Sequence, residues 1–452
     1  MKIIIVGLGK VGQTLAAELS KEGNDITVID NREEIVQEFA SQYDLMGVVG
    51  NGASYLTQKD AEIEATDILI AVTDSDELNL LCCLIAKKAG NCHTIARVRN
   101  PEYGAEISFI KEELGLAMVI NPELAAASEI ARSLQFPSAI DVDSFAKSRV
   151  DLLKFRVPQD SVLNNLRLSA LSSKVKGNVL ICAVERGDEV IIPDGDFVIQ
   201  SRDLVTIVAG SADANTFFKQ VGITSNQIKN MMIIGGSDTA YYLAKKLIAA
   251  GIKVKIIEKD MKRCEALCEL LPKATVVYGD GTDKELLLEE GLDHYESLAA
   301  LTNIDEENIL LSLYGKKIGN LKSVTKINRI TFDEVIRDMD LDTVVHPKHI
   351  TSEHIIRYVR SMKNSIGSNV ETLHKIIDGK AEALEFVIRK QSRATAQPLA
   401  DLKIKKGILV ASITRKGKLI IPRGSDQMQN GDTVIVITHH NGLNDIDDIL
   451  EK

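Results

Sequence analysis

The sequence contains no tryptophan, and aromatic residues make up only 4% of its 452 residues. It therefore has no tryptophan on which the bases of a single-stranded nucleic acid would stack. The formal net charge is −10. An acidic chain is a poor nonspecific ligand for DNA or for an anionic membrane, because both require a basic face. We expect no nucleic-acid partner.

Long apolar runs and cysteine motifs are also missing. No stretch of about 18 apolar residues is present to span a bilayer, and the apolar run at the N-terminus is too short for a signal peptide. The six cysteines form no CxxC motif and no metal-ligand spacing, which is typical of a protein in the reducing cytosol. We expect a cytoplasmic protein that does not itself span the membrane and holds no metal.

Common catalytic motifs are absent as well: there is no GxSxG, no Walker loop and no Cys/His nucleophile pair. Tyr241 and Lys245 have the YxxxK spacing of short-chain dehydrogenases. They fall on the first helix after a glycine loop, so we interpret them as helical surface residues. His346, His349 and His354 are interpreted as solvated or capping residues rather than metal ligands. These absences favour a protein that is not an enzyme.

A glycine-rich motif is present near the N-terminus. The β-branched run Lys2–Val6 predicts a buried parallel strand. Gly7, Gly9 and Gly12 follow as GxGxxG and open a helix. In such a loop the first glycine permits a tight turn, the second lets the backbone approach a pyrophosphate, and the third lets helix and strand pack closely. The phosphates lie on the helix N-terminus, so this stretch predicts a dinucleotide site.

An acidic residue supports this interpretation. A second apolar strand, Asp25–Ile29, ends in Asp30, about 20 residues past the glycines, where a carboxylate binds the ribose hydroxyls of NAD and disfavours a 2′-phosphate. The alternative is a Rossmann-type unit kept only for packing. We favour the binding interpretation because the strand, the glycine loop, the helix and the acidic residue all fit a dinucleotide-binding unit.

The chain then alternates strands and helices, which predicts an α/β fold with a doubly wound parallel sheet and a ligand at the carboxyl ends of its strands. The six predicted strands are Lys2–Val6, Asp25–Ile29, Leu45–Val49, Ile68–Val72, Thr94–Val98 and Gly115–Ile120. From about residue 139 a small α+β lobe is predicted. Its elements are strands Asp151–Val157, Val179–Glu185, Val190–Ile192 and Leu204–Val208, a helix Leu163–Leu171 and a turn at Arg186–Asp188.

The whole pattern occurs twice. Gly235 falls on Gly7, Glu258 on Asp30, and the small lobe recurs after residue 366. The predicted domains are 1–140, which we call the first repeat, a small lobe 141–222, the second repeat 229–365, and a second small lobe 366–445. Boundaries lie near 140, 222 and 366, and Gly222–Lys229 links the halves.

The glycine loop of the second repeat has diverged. Ser237 replaces the glycine that lets the backbone approach a pyrophosphate, and Ala240 replaces the last glycine. Asp238 adds a negative charge beside the predicted phosphate position, and Lys326 stands where the first repeat has Arg97. Phosphate affinity should fall, although Glu258 still offers a ribose acceptor. We predict that the first half binds NADH more tightly than the second.

Three further residues of the first repeat end predicted strands at the edge where the ligand would bind. Thr73 and Asp74 follow the fourth strand, at the point where the strand order reverses. Arg97 ends the fifth strand, and its planar fork of donors suits a phosphate. The alternative for Arg97 is a surface ion pair with a neighbouring carboxylate. From the residues alone both interpretations remain open.

A set of motifs resembles one known family, the NAD-binding regulatory subunits of bacterial Trk potassium uptake systems, built from tandem RCK (KTN) domains. The motifs are GLGKVG at Gly7–Gly12, Asp30, GNG at Gly50–Gly52, VTDSDELN at Val72–Asn79 and IARVRNPEY at Ile95–Tyr103. The resemblance implies NAD(H), as NAD+ or NADH, with ATP or ADP as another ligand. It assigns binding to Gly7, Leu8, Gly9, Lys10, Val11, Asp30, Thr73, Asp74 and Arg97. The glycine spacing adds Gly12, and the internal repeat adds Glu258 as the acid of the second repeat.

The same resemblance implies a partner: a membrane potassium transporter, the Trk-type pore subunit, at whose cytoplasmic face the chain assembles as a ring-forming homotetramer. Two functions remain at this stage, a nucleotide-sensing regulatory subunit and an NAD-dependent oxidoreductase. An oxidoreductase needs a substrate domain with a general acid or base after its cofactor domain. This chain supplies a small lobe and then repeats itself, which favours the sensor.

Overall fold

The computed structural model of the chain describes residues 1–451 except 105, 137–138, 140, 146–149, 188, 224–227, 320, 330–334, 337–338, 340, 366–369, 377–379 and 440–442. The predicted boundaries at 140 and 366, the turn residue Asp188 and linker residues 224–227 lie outside the described residues. The chain divides into two compact units. The first unit combines Met1–Ala131 with Ile228–Ile356, and the second combines Arg132–Gln227 with Arg357–Lys452.

Twenty-two strands are described. In chain order they are β1 (Lys2–Val6), β2 (Asp25–Asp30), β3 (Met46–Val49), β4 (Ile68–Ala71), β5 (His93–Arg97), β6 (Met118–Ile120), β7 (Asp141–Phe145), β8 (Val150–Arg156), β9 (Val179–Arg186), β10 (Glu189–Ile191), β11 (Leu204–Ala209), β12 (Asn230–Ile234), β13 (Lys253–Glu258), β14 (Thr275–Tyr278), β15 (Ser297–Ala300), β16 (Lys322–Lys326), β17 (Thr343–Val345), β18 (Val370–Ile376), β19 (Ala381–Val387), β20 (Ile408–Arg415), β21 (Lys418–Ile420) and β22 (Thr433–Thr438).

The α-helices of the described residues are α1 (Lys10–Lys21), α2 (Glu33–Tyr43), α3 (Tyr55–Asp60), α4 (Asp76–Ala89), α5 (Pro101–Gly104), α6 (Ile107–Glu113), α7 (Pro122–Gln135), α8 (Leu171–Lys174), α9 (Ser211–Gln220), α10 (Asp238–Ala249), α11 (Met261–Leu270), α12 (Lys284–Glu289), α13 (Asp305–Gly319) and α14 (Pro347–Ser365). No helix in this part of the chain is both long and apolar enough to cross a bilayer.

The first unit holds two six-stranded parallel sheets of identical order, β3-β2-β1-β4-β5-β6 and β14-β13-β12-β15-β16-β17. This is the strand order of a dinucleotide-binding Rossmann fold, whose switch point lies between the first and fourth strands. The predicted doubly wound fold is confirmed for both repeats. In each sheet the central strands are apolar and buried, as β1 illustrates from Ile3 to Val6, because helices cover both faces of a parallel sheet.

The second unit holds two five-stranded antiparallel sheets of orders β10-β9-β11-β8-β7 and β18-β19-β22-β20-β21. One apolar layer joins them: Cys182 and Ala183 of β9 belong to the same buried cluster as Ile435 and Ile437 of β22. A small α+β lobe after each repeat is thus confirmed.

The predicted helix Leu163–Leu171 is wrong. The structure has a 3-10 turn at Leu168–Ala170 followed by the short α8. Asn165 adopts the left-handed conformation with φ 61°, and the Asn164 side chain accepts a hydrogen bond from the Ser201 N–H at 2.9 Å. Asparagine side chains that bond to the backbone compete with helix formation. The sequence pattern also did not predict strand β7 or helix α9.

Candidate functional site

The glycine loop of the first repeat shows where side chains are tolerated. Gly7 has φ +98°, and a Cβ there would lie 2.9 Å from the Thr73 nitrogen. A Cβ on Gly12 would lie 1.9 Å from the Gly7 carbonyl oxygen. Gly9, in contrast, has nothing within 4 Å of an added Cβ. Two glycines therefore serve the close packing of loop, helix and strand, and the third faces open space at the start of α1, as a phosphate cradle requires.

Asp30 ends β2 beside this loop and is buried. One carboxylate oxygen accepts from the Leu8 N–H at 2.7 Å, and the Arg32 side chain donates to both oxygens at 2.9 Å. Burial alone raises the pKa of Asp30, but the hydrogen bonds from Arg32 and Leu8 outweigh it and hold the pKa below its usual value. The carboxylate is thus ionised and fixed next to the loop, and it can accept from a sugar hydroxyl when the exposed Arg32 side chain moves aside.

Thr73, Asp74 and Arg97 meet at the carboxyl ends of β4 and β5. The Asp74 carboxylate is fully exposed and lies 3.9 Å from the Arg97 guanidinium, whose side chain is only 11% exposed. Arg97 Nε is buried and has no hydrogen-bond partner among the described residues, and burial lowers its pKa. Arg97 is therefore a largely buried cation with a distant counterion rather than half of a tight surface ion pair.

Two positioning residues were not singled out from the sequence. Asn79 is fully buried. Its Oδ1 accepts from the Thr73 N–H at 2.8 Å, and its Nδ2 donates to the Arg97 carbonyl at 2.9 Å. Asp76 accepts from the Arg99 N–H at 2.8 Å. Together they tie the loop after β4 to the end of β5. The signal was their recurrence, because Asn308 and Asp305 make the same bonds in the second repeat.

The second repeat has a different electrostatic arrangement. The Glu258 carboxylate accepts hydrogen bonds from the N–H groups of Gly236 and Asp260. It therefore lies beside the second glycine loop, as Asp30 lies beside the first. Arg263 donates to the Gly236 carbonyl at 2.6 Å and to Asp238 at 2.7 Å. The negative charge that Asp238 adds to this loop is therefore paired. Arg263 is a residue that the sequence comparison of the repeats missed, because the first repeat has an isoleucine at its place.

A cleft of about 720 Å³ opens over the second loop, within the size range of cofactor sites. Its lining includes Glu258, Arg263 and Lys326 from the second repeat and Arg99 and Glu123 from the first. Lys326 is buried, and its burial lowers the pKa of the ammonium group. The cleft thus combines the carboxylate of Glu258 with several cations, and it takes side chains from both repeats.

The residues set aside from the sequence do not line this cleft. Tyr241 is largely buried on α10, so its predicted surface position is wrong. Its hydroxyl lies 3.5 Å from Lys245 Nζ, and neither residue lines the cleft. The His346 ring contacts the Ile327 carbonyl at 3.2 Å. Among the described residues no cluster of three potential metal ligands occurs.

Fold and loops together define a chain with two Rossmann-type repeats, each followed by a small β-rich lobe. Family models agree with this arrangement: the TrkA-N domain matches residues 3–122 and 231–347, and the TrkA-C domain matches residues 152–222 and 383–451. The chain belongs to the TrkA family.

Similar proteins were found over the full length. The chain is 32% identical over 460 residues to the Trk system potassium uptake protein TrkA homolog 1 of Methanosarcina mazei, covering 99% of both chains. It is 32% identical over 443 residues to TrkA of Haemophilus influenzae, covering 96% of this chain and 95% of that protein. A solved structure of the GsuK channel bound to NAD matches with a TM-score of 0.63 and 16% identity over 97% of this chain and 76% of that chain. That structural likeness shows a shared fold.

Proposed function

We propose that this chain is the cytoplasmic nucleotide-sensing regulatory subunit of a Trk-type potassium transporter, and that it binds NAD(H) in its first repeat. The observation that carries the proposal is the open space over Gly9, with the fixed carboxylate of Asp30 beside it. This geometry suits a dinucleotide. It occurs in a chain whose full-length relatives are named as Trk potassium uptake proteins.

The ligand proposal draws on the same features. NAD+ or NADH would place its pyrophosphate on the N-terminus of α1, in contact with the loop Gly7, Leu8, Gly9, Lys10, Val11 and Gly12. Its adenosine ribose would bind Asp30, and Thr73, Asp74 and Arg97 would border its phosphates. Structures of GsuK bound to NAD and to ADP show that a channel with this fold takes both kinds of ligand. ATP or ADP is therefore the second ligand class.

We further propose that the chain regulates rather than catalyses. A nucleotide shifts a conformational equilibrium only by its different affinities for the two states. The two repeats belong to one compact unit, and a bound nucleotide can favour one arrangement of that unit over another. The chain would act as a homotetrameric ring at the cytoplasmic face of the membrane, bound to the transporter's pore subunit.

The direct test of the ligand proposal is Asp30→Asn. This change removes the charge that accepts the ribose hydroxyls, while the amide oxygen still accepts from the Leu8 N–H. Loss of a charge-assisted hydrogen bond costs about 1.5–3 kcal/mol, so NADH should bind about tenfold more weakly or worse. Isothermal titration calorimetry of the full chain measures this loss of NADH affinity.

Asp25→Asn is the matched control, because Asp25 is exposed on the same strand and its replacement changes the net charge equally. Its NADH affinity should equal that of the unmodified chain. An Asp30→Asn protein that melts normally and binds NADH as tightly as the unmodified chain would refute the proposal.

A further inference from the structure

A charged side chain already occupies the acid of the first repeat. The Asp30 carboxylate accepts hydrogen bonds from the backbone N–H groups of Leu8 and Arg32 at 2.7 and 3.0 Å, and from two nitrogens of the Arg32 guanidinium at 2.9 Å. A carboxylate offers about four acceptor positions, so these bonds fill it. The two backbone donors are held by the fold, whereas the Arg32 side chain is 52% exposed. The guanidinium is therefore the partner that can move.

Ribose binding to Asp30 would release Arg32. The sugar hydroxyls take the acceptor positions that the guanidinium leaves. The side chain remains attached at the residue just before α2, two positions past Asp30, so the freed cation stays beside the sugar. In Rossmann folds an acid at this place binds the 2′-hydroxyl of the adenosine ribose, and a nearby arginine accommodates a 2′-phosphate. The first repeat has both kinds of residue.

These charges act on a 2′-phosphate in opposite directions. Asp30 repels it, and so do Glu33 and Glu34 in the first turn of α2, although both glutamates are exposed and salt screens them. Arg32 attracts it, because the planar guanidinium can donate two parallel hydrogen bonds to a phosphate. Leaving Asp30 costs Arg32 little, since ion pairs with an exposed partner are weak. The arginine thus offsets the acid that would otherwise exclude the phosphate.

The second repeat has an acid in place of this arginine. Asp260 stands where the first repeat has Arg32, and its side chain caps α11 by accepting from the Arg263 N–H at 3.0 Å. The Glu258 carboxylate accepts from two backbone N–H groups, and within the described part of the chain no cationic side chain bonds to it. A 2′-phosphate in the second repeat would therefore meet two carboxylates and no matching cation.

We propose that Arg32 is a specificity-determining residue: it moves from Asp30 to the 2′-substituent of the adenosine ribose, and it lets the first repeat accept the 2′-phosphate of NADP(H) as well as the hydroxyl of NAD(H). The inference rests on the proposed function and deepens it. The acid alone disfavours a 2′-phosphate, and Arg32 reverses most of that preference. The second repeat, which lacks the arginine, should discriminate against NADPH.

The test is calorimetry of the full chain with NADH and NADPH, in a Glu258→Gln background so that the first site dominates. With Arg32 intact, NADPH should bind within about tenfold of NADH. Arg32→Gln should move the two ligands in opposite directions. NADPH should bind about tenfold more weakly, because it loses its cation, and NADH up to about threefold more tightly, because Asp30 loses a competing donor. Arg32→Lys keeps the charge and should hold NADPH affinity within about threefold.

Arg167→Gln is the matched control, because Arg167 is an exposed arginine that pairs with Asp196 at 3.3 Å in the small lobe 141–222. Both affinities should stay unchanged in it. An arginine that only holds Asp30 in place would make Arg32→Gln weaken NADH and NADPH together, and an idle arginine would change neither. Either result overturns the inference, and so does NADPH binding more than about tenfold weaker than NADH with Arg32 intact. Failure of the proposed function is distinct, because Asp30→Asn would then leave NADH binding intact.

Discussion

Replacing Gly12 with alanine is expected to disable the first-repeat site and to destabilise the chain. The added Cβ would lie 1.9 Å from the Gly7 carbonyl oxygen and 3.0 Å from the Gly7 carbonyl carbon. Both atoms belong to the backbone, so no side-chain rotation relieves the clash. Overpacking of this kind costs about 3 kcal/mol, which lowers the melting temperature by about 6 °C or more in a domain of this size. NADH binding to the first repeat should be lost.

Gly9→Ala is the matched control. A Cβ at Gly9 meets nothing within 4 Å, and its backbone, with φ −70° and ψ 179°, suits any residue. The melting temperature should therefore change by less than about 2 °C, the cost of a weaker helix cap. NADH affinity should still fall about tenfold or more, because the methyl group occupies the space through which the pyrophosphate approaches. Normal binding by Gly9→Ala would contradict the cradle interpretation.

The two repeats are expected to differ in NADH affinity by about 30-fold, equivalent to about 2 kcal/mol, with the first repeat tighter. Ser237 and Asp238 stand in the second loop where the first has Gly9 and Lys10. The Arg263–Asp238 ion pair at 2.7 Å removes part of the charge penalty. The serine, whose hydroxyl donates to the Leu301 carbonyl at 3.3 Å, still occupies the approach to the backbone.

This difference is best measured in the full chain. Both repeats belong to one compact unit, so fragments of the two halves would divide that unit. Asp30→Asn and Glu258→Gln remove equivalent acids from the two sites. Calorimetry should show that the difference between the two NADH sites largely disappears in Asp30→Asn and persists in Glu258→Gln. The opposite ranking, with both variants folded, would show that Ser237 does not weaken its site.

Most of the fold could be predicted from local sequence patterns. The central parallel strands were predictable because most of them are short apolar runs next to a turn, and the duplication showed the same pattern a second time. The helix Leu163–Leu171 was mispredicted because Asn164 and Asn165 bond to or bend the backbone, which apolar spacing does not reveal.

The site was predictable only where its residues are close in sequence or repeated. Gly7, Gly12 and Asp30 follow from spacing, and the burial of Asn79 could have been suspected from its recurrence as Asn308. The roles of Arg263 and Glu123 depend on contacts between distant segments. No periodicity or motif marks such contacts: Arg263 meets Asp238 through the folding of the second repeat, and Glu123 reaches the second cleft from the first repeat.

We expect nucleotide binding by this chain to control potassium uptake. Potassium flux can be measured into liposomes that contain a Trk-type transporter and the purified chain, without nucleotide and with NAD+ or NADH. We predict that flux differs between these ligand states, and that Asp30→Asn abolishes the difference while Asp25→Asn preserves it. Identical flux in every ligand state, with the chain bound to the transporter, would show that nucleotide binding does not control uptake.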